Sequence, residues 1–161
     1  NFYDDNAERM IFFAKSALET VKKFGWPPHV IHCHGWMTSL IPLYLKTAYK
    51  KDPVFGYTKS IFTVQNDQFE ESLNATFNKK ALVNTDMKEK DFELYAPGTN
   101  EALTLGAMKY ADVLVAGQAD LNPTFKAELK PSRYKKIIQH DENWTNDVTD
   151  LLELYKTLTE S

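Results

Sequence analysis

The spacing of apolar residues along the chain alternates between two periods, and this alternation predicts a series of helices and strands. Residues 5–24 repeat apolar side chains at helical spacing, and Gly25 followed by two prolines ends that helix. A second helix is predicted over residues 36–50, with Pro42 either in its first turns or at a kink. The remaining predicted helices span Asn100–Tyr110, Pro123–Lys130 and a C-terminal segment capped by Asn143, in which Trp144, Val148, Leu151, Leu152, Tyr155 and Leu158 share one face.

Four short runs between these helices predict strands, at residues 29–34, 59–64, 112–117 and 136–139. The second and third runs are almost continuously apolar, which favours a parallel sheet covered on both faces. Helices and strands that follow one another in this way predict an α/β fold, a three-layer sandwich with a mostly parallel sheet.

Ligands of such sheets bind beyond the carboxyl ends of the strands. This rule selects three stretches, His34–Met37, Gln65–Gln68 and Gly117–Asn122. From residue 65 to residue 98 the periodicity weakens, and a long irregular segment of this kind is often functional. The apolar anchors predicted within it are Phe69, Phe77, Leu82, Phe92 and Tyr95.

Composition and charge narrow the classes of function. The 161 residues are 43% hydrophobic, enough for one domain with a sizeable core. The net charge of −3 and the scattered basic residues argue against a nucleic-acid partner, and the one dense basic group is short (Arg133, Lys135 and Lys136). No apolar run approaches the roughly 20 residues that span a bilayer, so no membrane partner is predicted. The six glycines form no phosphate-binding loop, and no cofactor is predicted.

The pair His32 and His34 permits two interpretations. Residues two apart on a strand point to the same face, so both rings could bind one metal, with Cys33 or His140 as a further ligand. Cys33, however, faces the opposite side of the strand. The favoured interpretation is no metal, with a buried His32 satisfied by backbone groups and His34 beside a polar cleft at the strand end.

Several stretches match the motifs of one family. Residues 5–13 (Asp5-Asn6-Ala7-Glu8-Arg9, then Phe12-Phe13) resemble a D-N-x-x-R-F-x-F-F helix. Residues 28–45 are similar to P-D-x-x-H-x-H-D-W-H-T-x-L-x-P-x-Y-L, residues 62–66 to F-T-I-H-N, and residues 105–112 more weakly to K-x-G-x-x-Y-A-D. These motifs are those of glycogen and starch synthases, and the chain resembles a shortened bacterial member of that family.

The resemblance implies a Rossmann-like fold similar to the N-terminal half of a GT-B glycosyltransferase. Members of the family are retaining enzymes that transfer glucose from ADP-glucose or UDP-glucose to an α-1,4-glucan, which implies glycogen biosynthesis and a cytoplasmic location. We expect residues 1–161 to form a single α/β domain with its C-terminal helix within residues 141–161. Because the chain enters a helix almost at once and does not begin with Met, we expect the domain to be incomplete on its N-terminal side.

The resemblance places the substrate site, for α-glucan or nucleotide sugar, at His34, Gly35, Trp36, Met37, Gln65 and Asn66. Three of these positions depart from the family motifs, because Gly35 stands for an aspartate and Met37 and Gln65 each stand for a histidine. A thioether is at best a weak hydrogen-bond acceptor, so the loss of oriented polar groups should impair transfer severely. The family's lysine-glycine-glycine loop and its C-terminal half, which holds the nucleotide and paired glutamates, have no counterpart in the chain.

Three functions follow as alternatives, and in each the chain alone is expected to be inactive as a transferase. The chain completes a transferase with a partner, either a second copy of itself or a protein that supplies a C-terminal half. Alternatively, it holds glucan or contacts a synthase without catalysis. An unrelated α/β domain is disfavoured by the length of the ordered match. Trp36 is either a core anchor or a sugar platform, and Asn66 either binds substrate or caps a turn.

Overall fold

The computed structural model describes residues 2–66, 69–132, 135–142 and 148–159. Its centre is a sheet of four strands, β1 (Val30–His34), β2 (Lys59–Val64), β3 (Val113–Ala116) and β4 (Lys136–Ile138). All three strand pairs are parallel, and the strands lie side by side in chain order. The four predicted strands are therefore confirmed, each within one residue at either end.

Local sequence signals determine where two of the helices begin or end. The described residues contain α1 (Asn6–Phe24), α2 (Leu40–Lys46), α3 (Phe77–Lys80), α4 (Asn100–Tyr110), α5 (Pro123–Glu128) and α6 (Thr149–Thr159). Gly25, at φ 62°, stops α1 and donates its N–H to the carbonyl of Lys22. The Thr99 hydroxyl accepts a hydrogen bond from the N–H of Ala102 and so caps α4. No described helix is both long enough and apolar enough to cross a membrane.

The helix predicted over residues 36–50 is divided and shorter. A 3-10 turn spans Trp36–Thr38, and α2 follows it. Pro42 is the third residue of α2, in the first turn, where a helix requires no N–H donor. The prediction that Pro42 lies in the first turns is confirmed. The predicted end of the helix was wrong, because Thr47 leaves the helical region of backbone conformation (φ −125°, ψ −84°).

Side chains of the sheet alternate between two faces, and each face has its own apolar cluster. The larger cluster packs α1, α2, α4 and α5 against strand residues that include Cys33, Phe62 and Leu114. The smaller cluster joins Leu154 of α6 to Ile61, Val113 and Val115. Helices therefore cover both faces of the sheet, and the predicted three-layer α/β sandwich is confirmed.

Buried aromatic side chains hold the irregular segment between β2 and α4. Phe77 and Phe92 are each 2% exposed and Tyr95 is fully buried, while Phe69 and Leu82 pack against the same cluster. The Tyr95 hydroxyl donates to the carbonyl of Ser39 at 2.9 Å. The predicted anchors are confirmed, and they make this segment part of the core.

The C-terminal helix lies within residues 141–161. The carbonyl of Val148 accepts the hydrogen bond from the N–H of Leu152 at 3.0 Å, and α6 spans Thr149–Thr159. Asn143 and Trp144, which were predicted to cap and pack this helix, lie outside the described residues.

The buried face of α6 differs in part from the predicted one. Leu151, Tyr155 and Leu158 pack against the sheet as predicted. Leu154, which is 4% exposed, is the most buried residue of the helix, whereas Leu152 is 50% exposed. The helical pattern of leucines allowed either rotation, and contact with β2 and β3 determines which face is buried.

Candidate functional site

The three stretches predicted at the carboxyl ends of the strands come together at one edge of the sheet. The register pairs His34 with Thr63 and Val64 with Ala116. The loops that leave β1, β2 and β3 therefore start side by side. The last residue of β1, His34, and the first residues of the next two loops, Gln65 and Gly117, form the floor of what we call the carboxyl edge.

Gly35 makes the turn that starts the loop after β1. Its backbone has φ 73° and ψ 165°, a conformation open almost only to glycine. The Thr38 hydroxyl lies within hydrogen-bonding distance of two carbonyls, those of Gly35 at 2.8 Å and of His34 at 3.1 Å. These contacts hold the loop beside His34. Gly35, which replaces the aspartate of the resembled motif, is the residue that the turn requires.

Trp36 and Met37 follow this turn and are both partly buried against the larger cluster. The Trp36 ring meets the Phe69 ring edge-on, with centroids 5.0 Å apart. Phe2 also contacts Phe69, again with centroids 5.0 Å apart. These contacts link the start of the chain, the loop after β1 and the loop after β2 in one aromatic group.

Asn66 connects two loops of the carboxyl edge. Its amide nitrogen donates to the carbonyl of Asp120 at 3.0 Å, and its amide oxygen accepts from the N–H of Asn122 at 2.8 Å. The backbone N–H of Asn66 donates to the side chain of Gln118 at 3.1 Å. Of the two predicted alternatives, substrate binding and turn capping, neither included this contact, in which the Asn66 side chain bridges the loops after β2 and β3.

Gly117 allows the loop after β3 to approach β2 closely. A Cβ at this position would lie 2.8 Å from both Thr63 Cγ2 and the Val64 carbonyl oxygen, and 3.0 Å from Gln65 Cγ. Any larger residue would therefore require these neighbours to shift. The absence of a side chain at Gly117 lets the loop after β3 pack closely against the end of β2.

His32 is held by side chains, which corrects the predicted backbone partners. Its Nδ1 lies 2.6 Å from the Tyr155 hydroxyl of α6, and its Nε2 lies 2.7 Å from the Thr63 hydroxyl of β2. The His32 and His34 rings stack with centroids 4.1 Å apart. Sequence reasoning missed Tyr155 and Thr63, since only the parallel register and the docking of α6 bring them to His32.

The electrostatic surroundings keep both rings neutral near pH 7. Burial, and then the nearby His34, lower the pKa of His32 to about 4. Partial burial also lowers the pKa of His34. Each neutral ring has one donor and one acceptor nitrogen, so His34 offers the carboxyl edge an uncharged polar group.

The described residues contain no group of three His, Cys, Asp or Glu that could hold a metal ion. Cys33 points into the larger cluster, away from both histidines, as its position on the strand predicted. Burial raises the pKa of the Cys33 thiol to about 12. The thiol is therefore neither a metal ligand beside the histidines nor a reactive nucleophile.

Two clefts in the described part of the chain lie away from the carboxyl edge. One, of about 480 Å³, lies between α4 and α5 and is lined by residues that include Met108, Thr124 and Lys135. The other, of about 620 Å³, lies beside α3 and is lined by residues that include Leu82 and Phe92. Neither of these two clefts is lined by a predicted site residue.

Comparisons with known proteins agree on one family. Residues 1–136 match the family model described as the starch synthase catalytic domain. A glycogen synthase of Desulforudis audaxviator is 35% identical over 82% of this chain and 25% of its own length. A glycogen synthase of Elusimicrobium minutum is 42% identical over 58% of this chain and 20% of its own length. The chain thus spans about a quarter of the length of these relatives.

A solved structure shares the fold. The catalytic domain of starch synthase IV from Arabidopsis thaliana, bound to ADP and acarbose, superposes with a TM-score of 0.56 at 16% identity. The match covers 98% of this chain and 29% of that one. The predicted fold class, an α/β fold like that of a GT-B glycosyltransferase, is confirmed. Because the family model matches 1–136 of the 161 residues, the chain belongs to the starch synthase catalytic domain family.

Proposed function

We propose that the chain forms part of a glucosyltransferase that moves glucose from ADP-glucose to an α-1,4-glucan, and that it does not catalyse transfer alone. One observation carries this proposal: the chain matches the family over most of its own length but spans about a quarter of a relative. The Arabidopsis relative binds ADP and acarbose. We assign glucan or nucleotide-sugar contact to the carboxyl edge.

The carboxyl edge offers polar and flat groups suited to a sugar. His34 is exposed at the end of β1 and presents a neutral imidazole. Gly35 brings backbone close to any bound ligand, since it has no side chain in the way. Trp36 supplies an apolar ring of the kind on which sugars stack, and the Phe69 ring contacts it edge-on. Gln65 adds an amide at the end of β2.

Two features of the edge support inactivity in isolation. Met37 is partly buried against the core and has no hydrogen-bond donor for a sugar hydroxyl. The Asn66 side chain is engaged by the loop after β3 through both its amide nitrogen and its amide oxygen. One oriented donor at a reacting group contributes roughly 3 kcal/mol of transition-state stabilisation, so the missing polar groups have to come from elsewhere.

The rest of a synthase lies outside residues 1–161, in the same polypeptide, in a second copy of the chain or in a partner with the C-terminal half of a synthase. We place this assembly in the cytoplasm, where glycogen is made. In this arrangement residues 1–161 act as one portion of the N-terminal domain. The nucleotide would be held mainly by the other half, since the glycines of this chain form no phosphate-binding loop.

A glucan-holding or regulatory module is the second candidate. The specific observation in its favour is the turn at Gly35. This turn is well formed with glycine, whereas the aspartate of the resembled motif would be strained in the same backbone conformation. A site that keeps its fold while replacing polar groups can retain binding without catalysis. This module would bind α-glucan at the same edge.

Two measurements on the purified chain separate these functions. The first is incorporation of labelled glucose from ADP-glucose into glycogen, and the second is calorimetry with maltohexaose in the same buffer. We expect no incorporation above a blank without protein, and measurable maltohexaose binding. Incorporation would contradict the claim of inactivity, and absence of binding would contradict glucan recognition by the chain alone.

A pair of histidine variants tests whether any binding occurs at the carboxyl edge. His34 and His29 lie at opposite ends of β1, and both are exposed. We expect His34→Ala to weaken maltohexaose binding roughly tenfold, the loss of about one good hydrogen bond. His29→Ala is the matched control and should bind as the wild type does. Equal binding by all three proteins would place the glucan elsewhere.

A further inference from the structure

Helix α6 comes from a segment that the family model does not match, since the match ends at residue 136. The helix nevertheless packs on the sheet, with Leu154 in the smaller cluster. It also places a polar group against β1, because the Tyr155 hydroxyl reaches His32. A segment outside the family match therefore contacts the strand that carries the candidate site.

His32 has a partner on each ring nitrogen, Tyr155 on Nδ1 and Thr63 on Nε2. A phenolic hydroxyl is more acidic than an aliphatic one and is the better donor. The consistent arrangement has Tyr155 donating to Nδ1, while the N–H at Nε2 donates to the Thr63 oxygen. Two hydrogen bonds at opposite sides of the ring determine both its tautomer and its plane.

The His32 ring determines what lies next to His34. The two rings are 4.1 Å apart between centroids and inclined by 29°. Both point to the face of the sheet that α6 covers, where the Tyr155 ring meets the His32 ring. A change in the plane of His32 would therefore move the surface on which His34 rests.

We propose that Tyr155 is a positioning residue for the carboxyl edge, acting through His32 to orient the His34 ring. The Tyr155 ring meets the His32 ring edge-on with centroids 5.8 Å apart, so it also limits tilting of His32. The functional meaning of this contact rests on the function proposed above, in which His34 contacts sugar. The contact itself is independent of that function.

Nitrogen-15 NMR of the imidazoles in the full chain tests the contact without any ligand. In the wild type we expect His32 to show a protonated Nε2 and an unprotonated Nδ1, with one tautomer favoured roughly tenfold, about the effect of one hydrogen bond. In Tyr155→Phe this preference should fall severalfold. The pKa of His34 should rise toward its ordinary value, because a less ordered His32 covers it less.

Three further variants separate positioning from simple packing. Tyr57→Phe removes a hydroxyl from an exposed tyrosine and should change neither histidine. Leu151→Ala loosens α6 but keeps the Tyr155 hydroxyl, and should leave the His32 tautomer unchanged. Thr63→Val removes the other partner and should also weaken the tautomer preference, which keeps the test available if Tyr155→Phe does not fold.

The proposal is overturned if the signals of His32 and His34 in Tyr155→Phe match those of the wild type, or if Leu151→Ala reproduces every change. Maltohexaose is added only in a second titration of the same samples. A change in the His34 signals on its addition supports the proposed sugar contact. Unchanged His34 signals with an intact Tyr155 effect would reject the sugar contact and keep the positioning role.

Discussion

Gly35 shows at the residue scale how a departure from a motif can be a structural requirement. Its positive φ and extended ψ lie in a region open almost only to glycine. The loop it begins carries Trp36 and Met37 into contact with the larger cluster. The residue that replaces the aspartate of the resembled motif thus determines the path of the loop.

Replacing Gly35 with alanine should lower the free energy of unfolding by about 1–3 kcal/mol, because the new Cβ strains the backbone. Gly56→Ala is the matched control. Gly56 has φ −55° and its nearest neighbour to an added Cβ is 3.6 Å away, so its variant should be equal to the wild type or slightly more stable. Urea denaturation of the three proteins measures the difference, and equal stability of both variants would contradict the strained turn.

The Cys33 thiol should be protected in the folded chain. It is 1% exposed, and burial raises its pKa to about 12, so little thiolate exists at pH 8. We expect a thiol reagent to react with Cys33 many times more slowly in buffer than in denaturant. A rate in buffer close to that of the unfolded chain would show that the larger cluster opens readily.

At the scale of elements, hydrogen bonds between loops shape the carboxyl edge. The parallel strands end together, but the loops that leave them keep their positions because side chains join one loop to another. Asn66 is the clearest case, since its amide bonds to backbone groups of Asp120 and Asn122. The rigidity of the site therefore depends on these hydrogen bonds.

Asn66→Ala should release the loop after β3. Loss of two amide hydrogen bonds is expected to cost about 1–3 kcal/mol of stability and to speed hydrogen exchange at the N–H of Asn122. Asn84→Ala serves as control, because the Asn84 side chain bonds to Ala48 in another part of the chain. Unchanged exchange at Asn122 in Asn66→Ala would show that the bridge does not hold the loop.

Helix α6 should contribute to stability through one face only. Leu154→Ala removes a buried side chain from the cluster with Ile61 and Val115 and should cost about 2–5 kcal/mol. Leu152→Ala, at a half-exposed position, should change stability by less than about 0.5 kcal/mol. Thermal and urea denaturation distinguish these results. Similar effects of the two variants would mean that α6 is rotated or detached in solution.

At the scale of the whole molecule, a polar contact joins the N-terminal part of the chain to its C-terminal helix. His32 joins β1, β2 and α6 through two hydrogen bonds. Its burial is acceptable because both nitrogens have partners and the ring is neutral. Protonation would require the Tyr155 hydroxyl to change from donor to acceptor, and would place a charge in a partly buried position.

The free energy of unfolding should therefore decrease as the pH is lowered from about 6.5 toward 4. The folded chain holds the pKa of His32 at about 4, mainly by burial, whereas an unfolded histidine titrates near 6.5. Between these values the unfolded chain binds a proton that the folded chain excludes, so acid favours unfolding. The lowered pKa of His34 acts in the same direction.

Urea denaturation at several pH values measures this dependence. His32→Gln should lose part of the slope between pH 6.5 and 4, and His29→Gln, at an exposed position, should keep the slope of the wild type. An equal slope in all three proteins would show that His32 does not carry the effect. Carboxylates such as Asp5 and Asp52 have lowered pKa values and add their effects at lower pH.

The sequence by itself determined the order of the elements, the parallel sheet and the family. These follow from local signals: apolar runs of strand length, the Gly25 stop, and motifs of contiguous residues such as 28–45. Such signals depend on neighbours in the chain, and side-chain chemistry at short range is sufficient to set them. The position of the predicted site at the strand ends follows from the same reasoning, because parallel strands end at one edge.

Only the tertiary structure decided which groups meet across the chain. Asn66 meets the loop 56 residues later, and His32 meets Tyr155 at a separation of 123 residues. Likewise, the leucine pattern of α6 allowed more than one buried face, and contact with the sheet selected Leu154. These choices depend on register, helix rotation and the desolvation of particular atoms, which no local pattern contains because they arise when distant segments exclude water together.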